Sequence, residues 1–176
     1  MTKVYPFKQA LITAVISAIF ATCAFSVFNV LKQQLNWQIT PATIRGITGL
    51  LTLVILAIGI YSGMSAVKRA NAGQLSYGQA LLTGIMVALT VGLTMMVLGF
   101  IYTHYINPGY FDYMVAEGKK EMVAEGKSPS EIAAGVTGLQ WQFSAAGQAI
   151  QAMVAQTGAG TIISLVMAVF MRTKKQ

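Results

Sequence analysis

Uncharged residues fall in four long blocks along this chain, and those blocks set its architecture. No Asp, Glu, Lys or Arg lies between Lys8 and Lys32, between Arg45 and Lys68, between Arg69 and Asp112, or between Glu131 and Arg172. A bilayer hydrocarbon core of about 30 Å is crossed by roughly 20 apolar helical residues. Each block has room for one such helix, which predicts spans near 9–31, 46–67, 79–103 and 149–171. The first span follows Lys3 and Lys8 as a signal peptide would, yet its apolar stretch continues to about Leu31 and no Ala-x-Ala site closes it. It reads as a retained anchor. The third follows Ser76-Tyr77-Gly78-Gln79 and ends among Phe100, Tyr102 and Tyr105, with Asn107-Pro108-Gly109 as the stop. Tyrosines in such numbers at a span's end fit the interfacial belt. The fourth is broken up by Gln148, Gln151 and Gln156 and contains Gly158 and Gly160, so it must start near Ala149 to be long enough. A shallow re-entrant segment is the alternative there. The expected fold class is all-α: one polytopic four-helix transmembrane domain over residues 1–176.

Between spans three and four, residues 104–148 form the one sizeable piece outside the membrane. They carry a short repeat, Met114-Val115-Ala116-Glu117-Gly118-Lys119 and then Met122-Val123-Ala124-Glu125-Gly126-Lys127. An offset of eight is close to two helical turns, so equivalent residues share roughly one face of an amphipathic helix. A second helix start follows: Ser128 as cap, Pro129 in the first turn, Glu131 at the capping-box position. Downstream, Ile132, Val136, Leu139, Phe143, Ala146, Ile150 and Met153 make one apolar stripe at spacings of four and three. The stripe predicts a helix lying on the membrane surface or the bundle and running on into span four, with Trp141 at the interface.

Composition agrees: 55% of residues are hydrophobic and 10% charged, where soluble domains carry roughly 25% charged. The net charge of +7 would suggest nucleic acid in a soluble protein. Here the basic residues collect beside the spans, and no nucleic-acid partner is expected. Short loops rich in Lys and Arg stay in the cytoplasm. One side holds Lys3, Lys8, Lys68, Arg69, Arg172, Lys174 and Lys175 in short segments. The other holds Lys32, Arg45, Lys119, Lys120 and Lys127 in longer ones, together with Asp112, Glu117, Glu121, Glu125 and Glu131. Both termini are therefore expected in the cytoplasm.

Within lipid, helices associate where small residues let backbones approach. Ala10, Ala14, Ala18, Thr22 and Ser26 form a ladder at intervals of four on span one. Gly59 and Gly63 do so on span two, Ala80, Gly84, Ala88 and Gly92 on span three, and Gly160, Ser164 and Ala168 on span four. Threonines 83, 90 and 94 accompany the third. A compact bundle is expected.

Candidate chemistry is sparse. Cys23, the one cysteine, sits in an apolar run and reads as a packed, unreactive thiol. His104, the one histidine, has no companion for a metal site and reads as an interfacial residue. Gly158-Ala159-Gly160 lacks the flanks of a phosphate-cradling loop. Gln9, Asn29 and Gln79 read as interhelical or interfacial hydrogen bonders. No ionisable group lies within a span, where transporters and proton relays usually place one. We assign no catalytic, cofactor-binding or metal residue, and no cofactor.

Gly73-Gln74-Leu75-Ser76-Tyr77-Gly78-Gln79-Ala80, then Thr83-Gly84, and later Tyr102-Thr103-His104-Tyr105-Ile106-Asn107-Pro108 resemble the bacterial family catalogued as domain of unknown function 4199. The resemblance is specific over roughly residues 60–115. This chain has Asn107 where the family commonly has Asp. The resemblance implies a small four-span protein of a bacterial inner membrane and carries no activity with it. Its motif residues are expected to set the start and end of span three: Ser76 as cap, Gly78 at a close approach, Pro108 as stop. The expected function is that of a non-enzymatic packing or accessory subunit, bound to the bilayer and to itself or a membrane protein partner. A small oligomeric transporter or channel is the alternative, to be favoured by a water-accessible line of Thr and Ser on span three, and a membrane enzyme ranks third.

Overall fold

A computed structural model describes residues 6–35 and 40–173, apart from the side chains of residues 25, 26, 29, 32, 33, 41 and 42. Lys3, Lys174 and Lys175 lie outside the described residues, as do the side chains of Ser26, Asn29 and Lys32. Six α-helices follow in order: α1 (Phe7–Gln34), α2 (Pro41–Ala70), α3 (Tyr77–Ile101), α4 (Tyr110–Ala124), α5 (Pro129–Phe143) and α6 (Ala145–Met171). A π-helical turn, Tyr102–Ile106, extends α3. Four of the helices, α1, α2, α3 and α6, are long and apolar enough to cross a membrane. The chain is a polytopic α-helical membrane protein with α4 and α5 between its third and fourth spans.

All four helices begin earlier and, with the π-helical turn counted on α3, end no sooner than the charge gaps predict. Those gaps mark the hydrocarbon-crossing part, whereas capping turns extend each helix into more polar surroundings. Thr40 shows this for α2: its Oγ1 accepts the Thr43 N–H at 3.2 Å, starting the helix at Pro41, five residues before the predicted span. The fourth helix is continuous for 27 residues, or about 40 Å at 1.5 Å per residue. That length excludes the re-entrant alternative.

The Cα positions group into two compact units, Met1–Met95 with Met153–Gln176, and Met96–Ala152. In the first, α2 turns one face inward, with Leu56, Ile60, Met64 and Val67 buried. Ala10 and Ala14 of α1, Ala80, Val87 and Val91 of α3, and Ala168 of α6 complete that core. The opposite faces are equally apolar. Leu50, Ile162 and Phe170 are 67%, 66% and 81% exposed. A helix that is hydrophobic all round needs protein on one side and lipid on the other.

Close approach comes from the small residues expected to supply it. Gly59 lies against the Thr13 side chain, Gly63 against Val87, Gly84 against Ser164 and Met64, and Gly160 against Ala88. Gly92 faces Met153 and Thr157. The contacts 84 to 164, 88 to 160 and 92 to 157 run in opposite senses, so α3 and α6 are antiparallel. On α1 the ladder holds at Ala10 and Ala14, then shifts to the fully buried Ser17 in place of Ala18. A spacing of four drifts around a helix of 3.6 residues per turn, and a step of three corrects it.

Every buried polar side chain among the described residues is a hydroxyl: Thr13, Ser17, Thr48, Thr52, Thr83 and Ser164. Thr13 donates to Gln9 O at 2.7 Å, Thr52 to Thr48 O at 2.8 Å and Ser164 to Gly160 O at 2.6 Å. Bonding to the carbonyl one turn back satisfies a hydroxyl where water is absent.

In the second unit, α4 and α5 form an antiparallel hairpin. Met114 and Met122, equivalent residues of the repeat, are both buried on the shared face. Leu139 packs on Gly118, and Met122 packs on Gly135. The two repeat glycines have different roles. Gly126 ends α4 with a left-handed φ of +72°, while Gly126 N–H and Lys127 N–H return to Val123 O and Met122 O. That pair of hydrogen bonds is the Schellman end, for which glycine is suited. The capping box at Ser128 forms as predicted: Ser128 N–H donates to Glu131 Oε2 at 2.8 Å, and Ser128 Oγ accepts the Glu131 N–H at 3.4 Å. The Ser128 hydroxyl, which donates to Glu131 Oε2 at 2.6 Å, and then the Ser128 N–H hold the Glu131 carboxyl below the ordinary glutamate range.

The stripe from Ile132 to Met153 does not lie on one helix, as its spacing predicts. Ser144 breaks it with an extended backbone, φ −58° and ψ 154°. Phe143 is buried at the end of α5, whereas Ile150 is half exposed on α6. The seven stripe residues belong to two helices that meet at a corner.

Candidate functional site

Three junctions gather the polar groups of this protein. The first joins the α2–α3 turn to the end of α6. The turn starts with Asn71 N–H on Val67 O and Gly73 N–H on Lys68 O. Ala72 and Gly73 both take left-handed φ values, +51° and +81°. Ser76 and Gln79 then start α3 with a reciprocal cap: Gln79 N–H donates to Ser76 Oγ at 3.3 Å, and Ser76 N–H to Gln79 Oε1 at 3.0 Å. Between cap and turn, Leu75 is buried to 1% exposure.

Thr173 latches onto that segment. Its N–H donates to Leu75 O at 2.8 Å. Its Oγ1 accepts the Leu75 N–H at 2.9 Å and donates to Gly73 O at 3.1 Å. Alongside, the Lys68 ammonium donates to Met171 O at 3.1 Å, capping the C-terminus of α6 where a cation is favoured. Replacing Thr173 with valine keeps the shape and removes both hydroxyl bonds. It is expected to destabilise the bundle by about 1 kcal/mol, which thermal unfolding in detergent will register. Lys68 counted in the sequence only as a flanking charge, and the latch had no signal there, since its partners lie about a hundred residues apart.

The second junction is the end of span three. Asn107 N–H donates to Tyr102 O at 2.8 Å, closing the π-helical turn. Asn107 Nδ2 donates to the Tyr102 hydroxyl at 3.2 Å. Pro108 follows directly, as the stop it was expected to be. An Asp at 107 would accept from the tyrosine instead. Tyr110 stands edge-on to both Tyr102 and Phe143, with centroids 6.2 and 6.3 Å apart. His104 stacks on Phe100 at 5.4 Å and meets Tyr105 edge-on at 4.8 Å.

The third junction is the corner between α5 and α6. Ser144 Oγ donates to Trp141 O at 2.7 Å and accepts the Gly147 N–H at 3.0 Å, so one hydroxyl ends α5 and starts α6. Two glutamines finish the work. Gln148 Nε2 donates to Phe143 O at 2.8 Å and Gln151 Nε2 to Gln142 O at 3.0 Å. The last carbonyls of α5, which have no partner in their own helix, are thereby satisfied.

Other residues singled out by sequence fare differently. Cys23 is exposed on α1 and not packed, because the ladder on the opposite face takes the contact. Gly78 has open space where a Cβ would stand, so it makes no close approach. Gly158 is likewise open, and Gly160 is spent on packing. The Thr90 and Thr94 hydroxyls donate to Met86 O and Thr90 O, within their own helix. No group of three metal-ligating side chains occurs among the described residues.

The motif stretches thus account for two of the three junctions. A family profile described as Protein of unknown function (DUF4199) matches residues 10–173. The chain belongs to this family. The match extends the resemblance from the motif region to nearly the whole length, including α1, the α4–α5 hairpin and the Thr173 latch. No curated protein and no solved structure matches the chain. In this DUF4199 protein, the motif from Gly73 to Ala80 is a turn, a cap and a latch for the end of α6.

Proposed function

We propose that this protein is a non-enzymatic membrane subunit that packs against a larger membrane protein or against copies of itself. The supporting observation is a division among its glycines. Gly59, Gly63, Gly84, Gly92 and Gly160 are used inside the bundle, whereas Gly46, Gly49, Gly99 and Gly158 have nothing within 4 Å of a Cβ position. Gly46 and Gly49 are exposed on α2 beside Leu50. In lipid, a glycine facing outward gains nothing for the monomer and lets another helix approach.

The experiment is purification of the tagged protein from its own membranes in mild detergent, with mass determination. A stoichiometric second protein, or a defined number of copies, is expected for the wild type and lost in a Gly46→Leu, Gly49→Leu variant. A wild-type monomer defeats the reading. We further propose residence in a bacterial inner membrane, with both termini cytoplasmic. Lys68, Arg69 and Arg172 flank the Thr173 latch, and Lys8 stands two residues after Pro6, which lies near Gly63. Reporters fused at residue 120 and at the C-terminus then give opposite sides.

A small oligomeric transporter or channel is the second reading. Ser17 Oγ, Thr48 Oγ1, Gln156 Oε1 and Thr157 Oγ1 are buried in the spans without a partner among the described residues, and a polar solute or water in passage would satisfy them. Against it stand the Thr90 and Thr94 hydroxyls of span three, which bond to carbonyls of their own helix.

A further inference from the structure

We propose that α5 is seated on the phospholipid surface of the membrane, its charge-free outer face among the headgroups and α4 covering its other side from water. The proposal is independent of which partner the bundle has.

Depth comes first. At about 40 Å, α6 is longer than the roughly 30 Å hydrocarbon core, so its first turns belong to the headgroup layer. One residue, Ser144, separates α6 from α5. The corner bonds from Ser144, Gln148 and Gln151 hold the last turn of α5 against the first turns of α6. Trp141 and Phe143 are therefore fixed at headgroup depth by chain connection.

Chemistry then selects the face. Phe143 is buried and Ile132, Val136 and Leu139 are partly covered on the side toward α4. The outer side presents Ala133, Ala134, Thr137, Gly138 and Trp141, all exposed, with the indole 59% exposed. No charged residue follows Glu131 until Arg172. Seating this face in the headgroup layer strands no charge and puts an indole where its apolar body and N–H are both accommodated. A solitary surface helix carries its own polar face toward water. On α5 the exposed polar residues after Glu131 are the uncharged Thr137 and Gln140, and α4 supplies the charged face with Asp112, Lys119 and Lys120 exposed. Tyr105 and Tyr113, in the same unit, are also exposed, as members of an interfacial belt would be.

The chain has two tryptophans, so Trp37→Phe leaves Trp141 as the single reporter. The variant is reconstituted into phosphatidylcholine–phosphatidylglycerol vesicles containing lipids brominated either near the headgroup or deep in the chain. Shallow bromines are expected to quench Trp141 several-fold more strongly than deep bromines or aqueous iodide. Iodide quenching close to that of free tryptophan overturns the proposal by placing the face in water. Protection from lipid bromines and iodide alike overturns it too, since protein then covers the face. A nitroxide at Thr137→Cys in a Cys23→Ser background reads the same face without altering Trp37. Oxygen should relax it more than a water-soluble nickel complex, with the order reversed at Lys119→Cys. Nickel dominating at both positions overturns the proposal.

Discussion

Gly84→Ala is expected to destabilise the transmembrane bundle by about 2 kcal/mol, within the usual range for forcing a methyl into a packed interior. The added Cβ would stand 2.6 Å from Ser164 Cβ and 2.8 Å from Met64 Cε. The methionine end is flexible and can move. Ser164 cannot move as cheaply, because its hydroxyl is held to Gly160 O at 2.6 Å and the residue is fully buried. Lipid offers no compensating hydrophobic force between helices, so a lost van der Waals contact is lost outright. Gly78→Ala is the control: its Cβ meets nothing within 4 Å, and exchanging a helical glycine for alanine gains up to about 1 kcal/mol. Denaturation in mixed micelles should move the two midpoints in opposite directions. Ser164→Gly should recover much of the loss in the Gly84→Ala background, giving a coupling that a double-mutant cycle measures. No coupling between the two positions would disprove the contact.

That contact was legible in the sequence, and the reason is the solvent. In lipid the outward faces are as apolar as the inward ones, so hydrophobic periodicity is nearly silent about which side packs. Small-residue spacing takes over, and it located Gly59, Gly63, Gly84, Gly92 and Gly160 correctly. Charge gaps located the spans for the same reason, since ionic groups are excluded from hydrocarbon whatever the packing. The failures share a cause as well. Gly78 was assigned a close approach from its place in a motif, yet its neighbourhood is open. Ser144 was passed over because the apolar stripe keeps its three-and-four rhythm straight across the break, and a periodicity test reads rhythm alone. The signal that was available is chemical: Ser144 followed by Gly147 and Gln148 offers a capping hydroxyl, a small residue and a carbonyl partner in one short run. The Thr173 latch had no local signal of any kind.

At that corner the larger effect is expected from Gly147→Ala. A Cβ on residue 147 would fall on the carbonyl of Trp141, and a backbone carbonyl cannot turn aside as a methionine can. This carbonyl also accepts the Ser144 N–H at 3.2 Å and the Ser144 hydroxyl at 2.7 Å. Displacing it breaks both bonds and pulls Gln148 and Gln151 from the carbonyls they cap. The expected cost is about 3 kcal/mol, the upper part of the overpacking range. Ser144→Ala removes one capping hydroxyl and should cost about 1 kcal/mol. Hydrogen exchange followed by mass spectrometry distinguishes a local opening from a general one. Peptides covering residues 140–151 should lose protection in Gly147→Ala, while peptides from α2 keep theirs, because the bundle core does not include the corner. Equal protection in wild type and variant would mean that α5 and α6 are not held at Ser144 as described. The support for α5 at the membrane surface would then fall with it, since that placement depends on the corner being rigid.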